Sequence, residues 1–301
     1  MRSSSRSTAA ETVTFRPAGG GREAGRDGGA AFFDLDRTLM AGSSGLPWAR
    51  AAARAGLIGR RQLARWGVDH LRFRLRGSTD EATERVLAEI KELLTGTPER
   101  DLQRLAPEVL AGILPRIYPQ MLAEVHAHQD AGMPTFIVSA AGDEIVRLIA
   151  HVLAMEGGIG TAYDVDAEGR FNGELRGPFM YGAGKVDAIR DFAAEHDIDL
   201  AESYAYSDSA SDLPMLRAVG NPVAVNPDEE LARVAREEGW RVMRFEQLGR
   251  TLAIGAGLLA AAVVGVGSHG ARAYRARGEA RRIRPWRPPA SPSRGFRARR
   301  S

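Results

Sequence analysis

Ala31-Phe32-Phe33-Asp34-Leu35-Asp36-Arg37-Thr38-Leu39 is a short apolar run that ends in two carboxylates one residue apart, followed by a hydroxyl. An apolar run of this length, preceded by Gly28-Gly29, fits an interior strand of a parallel sheet. Open α/β folds bind their ligands at the carboxyl ends of such strands. We therefore expect Asp34 and Asp36 to lie in a crevice at that edge of the sheet.

Two carboxylates held this close repel each other, so at neutral pH they need a cation, a shared proton or a strongly polar lining. A bound divalent metal is the simplest of these solutions. An acid pair at this spacing also arises by chance in turns, since the chain has 38 acidic residues. The rest of the chain must therefore decide between a site and a turn.

Beyond residue 118 the chain alternates short apolar strands with helices. The predicted strands are 135–139, 204–206 and 222–225, and the predicted helices are 119–131, 144–155 and 184–196. Such alternation predicts an α/β fold with a doubly wound, Rossmann-like parallel sheet. We place its core in residues 30–42 and 119–250.

Residues 43–118 have a different, helical pattern, rich in Ala, Leu and Arg. The predicted helices are 47–76, 79–94 and 99–114. This block follows the first strand and precedes the second, so it predicts an all-helical cap inserted into the core.

Polar residues recur at the predicted strand ends. Ser139 is followed by small residues that let backbone amides approach an anion, and it could equally be the N-cap of the next helix. Of 41 basic residues 39 are Arg, and the two lysines are Lys91 and Lys185. A compact ammonium suits a tight site where a guanidinium fork does not fit, which singles out Lys185. Asp208 and Asp212 follow the third strand and can supply further oxygens to a cation site.

Taken together, D-L-D-R-T-L and the later Ser, Lys and D-x-x-x-D resemble the haloacid dehalogenase-like phosphatase superfamily, in its phosphoserine-phosphatase-like branch (subfamily IB). The resemblance covers roughly residues 30–245. It implies a Mg²⁺-dependent phosphomonoesterase that works through an aspartyl-phosphate intermediate. The sequence departs from the family at Ser209 and Ser211, where Gly and Asn are common.

The resemblance also implies a role for each residue of the motifs. Asp34 is the nucleophile and a Mg²⁺ ligand, and Asp36 is the general acid and base that also contributes its backbone carbonyl to the metal. The remaining assignments are Thr38, Ser139 and Lys185 for phosphate binding, Asp208 for the metal, and Asp212 for orienting Lys185 or metal-bound water.

The substrate is less determined. Phosphoserine phosphatases carry acids after the nucleophile strand that bind the substrate amine, whereas residues 40–48 contain none. This favours a small phosphorylated metabolite or a phospholipid-type head group. Phosphoserine or a related amino-acid phosphate is the alternative substrate. A non-catalytic binding module on the same fold is the alternative of another class.

Other motifs point to no further chemistry. The chain has no cysteine, which excludes disulfides, thiolate metal sites and cysteine nucleophiles. Gly-x-Ser-x-Gly is absent, which argues against a serine hydrolase. Residues 164–175 begin like an EF-hand but end in Leu175, so they predict a β-hairpin. His126 and His128 are two residues apart on a helix, and we expect both to be solvated.

The two ends of the chain have distinct compositions. Residues 1–29 are rich in Ser and Gly and predict disorder. They lack the apolar run of a signal peptide, so we expect the catalytic body in the cytoplasm. Residues 268–301 hold eleven arginines against one acid, which leaves 30 basic and 37 acidic residues before them, a net charge of −7.

Residues 251–267 form an uncharged apolar stretch of 17 residues. As a helix it is about 25 Å long, slightly short of a roughly 30 Å hydrocarbon core. One interpretation is a helix that associates with the inner face of the membrane, with the arginines of 268–301 on anionic head groups. The other is a helix packed on the protein, followed by a disordered basic tail that binds polyanions, nucleic acid included, without specificity.

Overall fold

A computed structural model describes residues 28–59 and 80–245 of the 301-residue chain. Its strands are β1 (Ala31–Phe33), β2 (Thr135–Gly142), β3 (Gly157–Thr161), β4 (Tyr163–Val165), β5 (Phe171–Leu175), β6 (Tyr204–Ser207), β7 (Asn221–Val225) and β8 (Arg241–Met243). Its α-helices are α1 (Gly45–Arg54), α2 (Asp80–Leu94), α3 (Glu99–Gln103), α4 (Ala106–Ile113), α5 (Pro119–Asp130), α6 (Asp143–Val152), α7 (Ala183–Glu195), α8 (Leu213–Arg217) and α9 (Glu229–Glu237).

Six strands form one parallel sheet in the order β3-β2-β1-β6-β7-β8. The predicted first strand, β1, lies inside the sheet, where Phe33 is in register with Ile137 of β2 and with Tyr206 of β6. From the central strand β1, the chain adds β2 and β3 on one side and later β6, β7 and β8 on the other side. This topology confirms the predicted doubly wound sheet.

Side chains of β1 alternate between two hydrophobic cores, one on each face of the sheet. Ala31 and Phe33 belong to the core that includes α1, α4, α5 and α6. Phe32 belongs to the other core, with residues of α7, α8 and α9. All three are fully buried, as expected of a strand covered on both faces.

Two strands of the sheet, β3 and β8, were not predicted. The sequence of β3 is Gly-Gly-Ile-Gly-Thr, and glycine usually indicates a loop. Here a Cβ on Gly158 would lie 2.7 Å from Val146 Cγ1, and one on Gly160 would lie 2.5 Å from Asp143 Cα. The glycines therefore allow β3 to pack closely against α6.

The cap helix predicted over 79–94 is confirmed by α2, whereas the other two predicted cap helices are shorter or divided. The helix expected over 47–76 ends at Arg54, where Gly56 adopts a left-handed conformation with φ 78° that favours glycine. The helix expected over 99–114 is divided into α3 and α4, with Pro107 in the first turn of α4. Residues 60–79 lie outside the described residues.

A β-hairpin follows β3, as the sequence predicted. Strands β4 and β5 pair antiparallel, and Tyr163 and Phe171 pack against Leu94 of α2. No helix within 28–59 and 80–245 has the length and apolarity needed to cross a membrane. The predictions for the disordered first segment and for 251–267 and 268–301 concern stretches that the structure does not describe, apart from residues 28 and 29.

Candidate active site

Lys185 joins two of the predicted site aspartates. Its Nζ lies 2.6 Å from Oδ1 of Asp34, at the end of β1, and 2.8 Å from Oδ2 of Asp212, beyond β6. The three side chains are between 4% and 9% exposed. The structure therefore brings together residues 151 and 27 positions apart in one buried ion network at the carboxyl edge of the sheet.

Two glycines set the position of Lys185 in the first turn of α7. Gly182 has φ 54° and ψ −117°, which other residues rarely adopt. A Cβ on Gly184 would lie 1.9 Å from the carbonyl oxygen of Phe179, so only glycine allows this approach. The Gly182–Lys185 turn therefore brings the ammonium of Lys185 to the acids that follow β1 and β6.

Asp212 is oriented by the loop after β6. The hydroxyl of Ser207 donates a 2.7 Å hydrogen bond to Oδ2 of Asp212, the same oxygen that Lys185 contacts. A short 3₁₀ turn, Ala210–Asp212, turns the carboxylate back toward the sheet. This arrangement supports the predicted role of Asp212 as the residue that holds Lys185.

Asp208, also 4% exposed, pairs with Arg37 instead of with a lysine. The Nε–H of Arg37 donates to Oδ2 of Asp208 at 2.5 Å, and a terminal nitrogen of the same guanidinium contacts that oxygen too. Arg37 has φ 63°, an uncommon backbone conformation for a side chain of this size. Sequence reasoning assigned no role to Arg37.

Asp36 faces away from this ion network. Its Oδ2 accepts a 2.9 Å hydrogen bond from the hydroxyl of Ser43, and its Oδ1 accepts one of 2.9 Å from the backbone N–H of Ser44. Both donors directly precede α1. The carboxylate of Asp36 is thus held by the loop that leads into α1.

Thr38 and Ser139 are buried near the same edge. Thr38 is fully buried and its Oγ1 has no hydrogen-bond partner, which is costly unless a ligand supplies one. Ser139 Oγ accepts a 3.2 Å hydrogen bond from the N–H of Ala141. The alternative that Ser139 caps a helix is wrong, because β2 continues to Gly142, which itself precedes α6.

Burial opposes the charged forms of Asp34, Asp208 and Lys185. It raises the pKa of Asp34 despite the nearby Lys185, and it raises the pKa of Asp208 to about 8 despite Arg37. For Lys185, burial is outweighed by the carboxylates of Asp212 and Asp34, so its pKa is raised as well. The site therefore favours the charged form of Lys185, whereas the positive charge near Asp34 and Asp208 does not fully offset the cost of burying their carboxylates.

The donor set fits a hard divalent cation. Asp34 and Asp208 are buried carboxylates, and repulsion from Asp34 contributes to the raised pKa of Asp208, which a cation between them would relieve. Carboxylate oxygens and a backbone carbonyl are the ligands that Mg²⁺ prefers, and this chain has no cysteine to supply a thiolate. Within the described residues, no three acidic or histidine side chains already converge as a metal-binding group.

Several contributors to the site were missed by sequence reasoning. They are Arg37, Ser43, Ser44, Ser207 and Asp228. Asp228 caps α9 and also accepts a 2.9 Å hydrogen bond from the N–H of Ala210, so it ties the end of β7 to the Asp208 loop. The N-cap pattern Asp228-Glu229-Glu230 was a signal that could have found Asp228.

A second polar group surrounds the buried side chain of Tyr206 on β6. The hydroxyl of Tyr206 lies 2.7 Å from Nε2 of His128 and donates a 3.1 Å hydrogen bond to Glu124, which Arg241 contacts at 2.7 and 2.8 Å. We call Tyr206, His128, Glu124 and Arg241 the Tyr206 network. The prediction that His128 is solvated is wrong, whereas His126 is exposed.

Comparison with known proteins places this arrangement in a family. The sequence matches the haloacid dehalogenase-like hydrolases over residues 31–217. A protein of Streptomyces azureus named "Inhibition of morphological differentiation protein" is 37% identical over 219 residues, 72% of this chain and 79% of that protein. A phosphoserine phosphatase of Mycobacterium tuberculosis is 34% identical over 230 residues, 75% of this chain and 74% of that protein.

A solved structure supports the same relationship. A Bordetella pertussis Tohama I protein of unknown function is 30% identical, covers 72% of this chain and 98% of its own, and superposes with a TM-score of 0.62. The family match covers more than half of the chain, and a phosphatase is among the relatives. This chain belongs to the haloacid dehalogenase-like hydrolase family and is a phosphatase of its phosphoserine-phosphatase-like branch.

Proposed function

We propose that this phosphomonoesterase uses Asp34 as its nucleophile and Asp36 as its general acid and base. The observation that carries the proposal is the buried contact between Lys185 and Asp34, 2.6 Å long, at the carboxyl end of the central strand. A buried lysine there holds the carboxylate in place and supplies positive charge where a phosphate arrives. Asp36, held separately by Ser43 and Ser44, is free to act on the leaving oxygen.

The reaction then proceeds in two displacements. An oxygen of Asp34 attacks phosphorus, the ester P–O bond breaks, and Asp36 gives its proton to the departing alkoxide. Asp36 next takes a proton from water, which attacks the aspartyl-phosphate and releases inorganic phosphate. The unpartnered hydroxyl of Thr38, together with Ser139 and Lys185, binds the phosphoryl oxygens.

Asp34, Asp208 and the backbone carbonyl of Asp36 would hold Mg²⁺. Bound there, the cation would neutralise charge on the transferring phosphoryl group. Turnover should disappear in excess chelator and return on addition of magnesium. Full activity in excess EDTA would show that the metal assignment is mistaken.

The nucleophile is tested with Asp34→Asn. This variant should lose nearly all turnover of a chromogenic phosphate ester and keep its circular-dichroism spectrum. Asp191→Asn, the same change at an exposed position of α7, is the matched control and should retain the wild-type rate. A wild-type kcat for Asp34→Asn on any good substrate would refute the mechanism.

For the substrate we propose a small phosphorylated metabolite or a phospholipid-type head group. The loop from Met40 to Trp48 offers no acid for a substrate amine. Phosphoserine is the second candidate, favoured by the phosphoserine phosphatase among the relatives. A panel that compares kcat/KM for phosphoserine, glycerol 3-phosphate and phosphocholine separates the two, because only an amino-acid substrate would rank phosphoserine first.

We also propose that residues 251–301 bind an anionic membrane surface. The proposal rests on the sequence alone: 17 uncharged residues followed by a segment with eleven arginines. A truncated variant that ends at Arg250 should keep full activity and fail to sediment with phosphatidylserine vesicles that the intact protein binds. Equal sedimentation of both proteins would refute this.

A further inference from the structure

Two cations neutralise the acids at the carboxyl edge of the sheet, and they are held in different ways. Lys185 has a side chain only 4% exposed and is tied to two carboxylates, those of Asp34 and Asp212. Arg37 has a side chain 44% exposed and is tied to Asp208. The lysine is enclosed by protein, whereas the arginine reaches into the site from its solvent side.

The contact of Arg37 occupies one of the two carboxylate oxygens through which Asp208 could bind a metal. Its Nε–H and a terminal N–H both point at Oδ2 of Asp208, so two donors fill the lone pairs of one oxygen. Mg²⁺ binds carboxylate oxygens at about 2.0–2.1 Å and demands a nearly ideal octahedron. A cation on this oxygen therefore has to displace at least one N–H of the guanidinium.

The electrostatic setting favours such an exchange. The pKa of Asp208 is raised first by burial and then by the carboxylates of Asp34 and Asp212, and the single charge of Arg37 offsets these effects together only in part. The guanidinium itself is attracted by Asp208, then by Asp228 and Asp34. A divalent ion would neutralise the same acids with twice the charge of Arg37. Because the side chain of Arg37 is partly exposed, it can move into solvent when it is displaced.

We propose that Arg37 is a built-in counter-ion, which neutralises Asp208 in the metal-free protein and leaves that carboxylate when Mg²⁺ binds. The inference rests on the proposed metal site. It predicts that Arg37 keeps the buried acids compatible with folding when metal is scarce, and that it weakens Mg²⁺ binding by competition. Arg37, which follows Asp36 in the sequence, would then set the Mg²⁺ concentration at which the proposed site fills.

Calorimetric titration of the EDTA-treated protein with MgCl₂ tests the exchange. Arg37→Gln removes the charge and keeps a side chain at φ 63°, whereas glycine would also relax the backbone. Its dissociation constant for Mg²⁺ should be lower than that of wild type by about fivefold or more. Arg37→Lys keeps a charge on a shorter stem and should fall between the two.

The matched control is Arg217→Gln, which removes a similarly exposed arginine from its pair with Glu238, away from the site. Its Mg²⁺ affinity should equal that of wild type. A second readout is the melting temperature without metal, which should fall by about 2–4 °C in Arg37→Gln. Saturating Mg²⁺ should remove that difference, because the bound metal takes over the role of the guanidinium.

The outcomes separate this inference from the proposed metal site. If wild type binds Mg²⁺, Asp208→Asn does not, and Arg37→Gln binds with unchanged or weaker affinity, then the site stands and the exchange is refuted. If wild type and Asp208→Asn both fail to bind, the metal site itself is refuted and the exchange with it. Tighter binding by Arg37→Gln, with its metal-dependent melting difference, supports both.

Discussion

The acids at the carboxyl edge of the sheet, Asp34 and Asp208, are buried, whereas Glu124 of the Tyr206 network is half-buried, and the pKa values of the two groups shift in opposite directions. Burial raises the pKa of Asp34 and Asp208 in spite of their cationic partners. Glu124 has a lowered pKa, chiefly because Arg241 donates two hydrogen bonds to it. The first group is short of positive charge, and the second is fully paired.

The difference shows how one sheet serves two purposes. Tyr206 stacks on Phe33 with ring centroids 4.4 Å apart, and its backbone carbonyl accepts the N–H of Asp34 at 2.9 Å. A well-satisfied polar group therefore supports the strand that carries Asp34, the proposed nucleophile. The raised pKa of Asp34 reflects a shortage of positive charge that a bound cation would relieve. Changes at the edge should alter turnover, and changes in the Tyr206 network should alter stability.

The largest effect is expected from Asp36→Asn. Loss of the general acid should slow an alkyl phosphate by about 10²–10⁴-fold, because its alkoxide departs poorly without a proton. A nitrophenyl phosphate, whose leaving group needs no protonation, should lose much less. The measurement is kcat on both esters, and equal losses would contradict the assigned role.

Next comes Lys185→Arg, which keeps the charge and changes its shape. A guanidinium cannot fit between Asp34 and Asp212, where Nζ lies 2.6 and 2.8 Å from their oxygens. We expect kcat to fall by about 10²-fold, as for removal of one charge-stabilising donor. Lys91→Arg is the matched control, since Lys91 pairs with Glu174 at the surface. Similar rates for the two variants would show that the site does not require a lysine.

Glu124→Gln should change stability with little effect on kcat. The amide cannot accept both hydrogen bonds from Arg241 as an ionised carboxylate does, and we expect a loss of about 1 kcal/mol in the free energy of unfolding. Urea denaturation measures it. Glu237→Gln, which removes an exposed pair with Arg233, should cost less. A large loss of kcat with unchanged stability would show that Glu124 serves turnover and not stability, contrary to the role assigned to the Tyr206 network.

The smallest effect concerns pH. Glu124 has a lowered pKa in the folded protein, so the stability it contributes is fully present above its ordinary value of 4.5 and is lost as the pH falls below 4.5 through the lowered pKa. Burial lowers the pKa of His128, so the stability that its neutral form contributes is present above its ordinary value of 6.5 and is lost as the pH falls below 6.5 through the lowered pKa. The stability difference between wild type and Glu124→Gln should shrink as the pH falls below 4.5. A difference that stays constant below pH 4.5 would contradict this origin.

Most of the site was predictable because its residues follow recognisable local patterns. An apolar run that ends in a polar residue marks a strand end, and parallel strands bring their carboxyl ends to one edge. That reasoning predicts that Asp34, Ser139 and Asp208 lie near one another. The two lysines in a chain of 39 arginines singled out Lys185, which the structure places against Asp34.

Other features depend on partners that no local pattern specifies. Arg37 meets Asp208 across 171 residues, and His128 meets Tyr206 across 78. A glycine-rich segment became β3 because α6 packs close to it. Sequence by itself determined four of the six strands of the parallel sheet, the order of the acids and the single useful lysine, since these follow from periodicity and composition. Only the tertiary structure decided which charge neutralises which, because that depends on distances and burial created by packing.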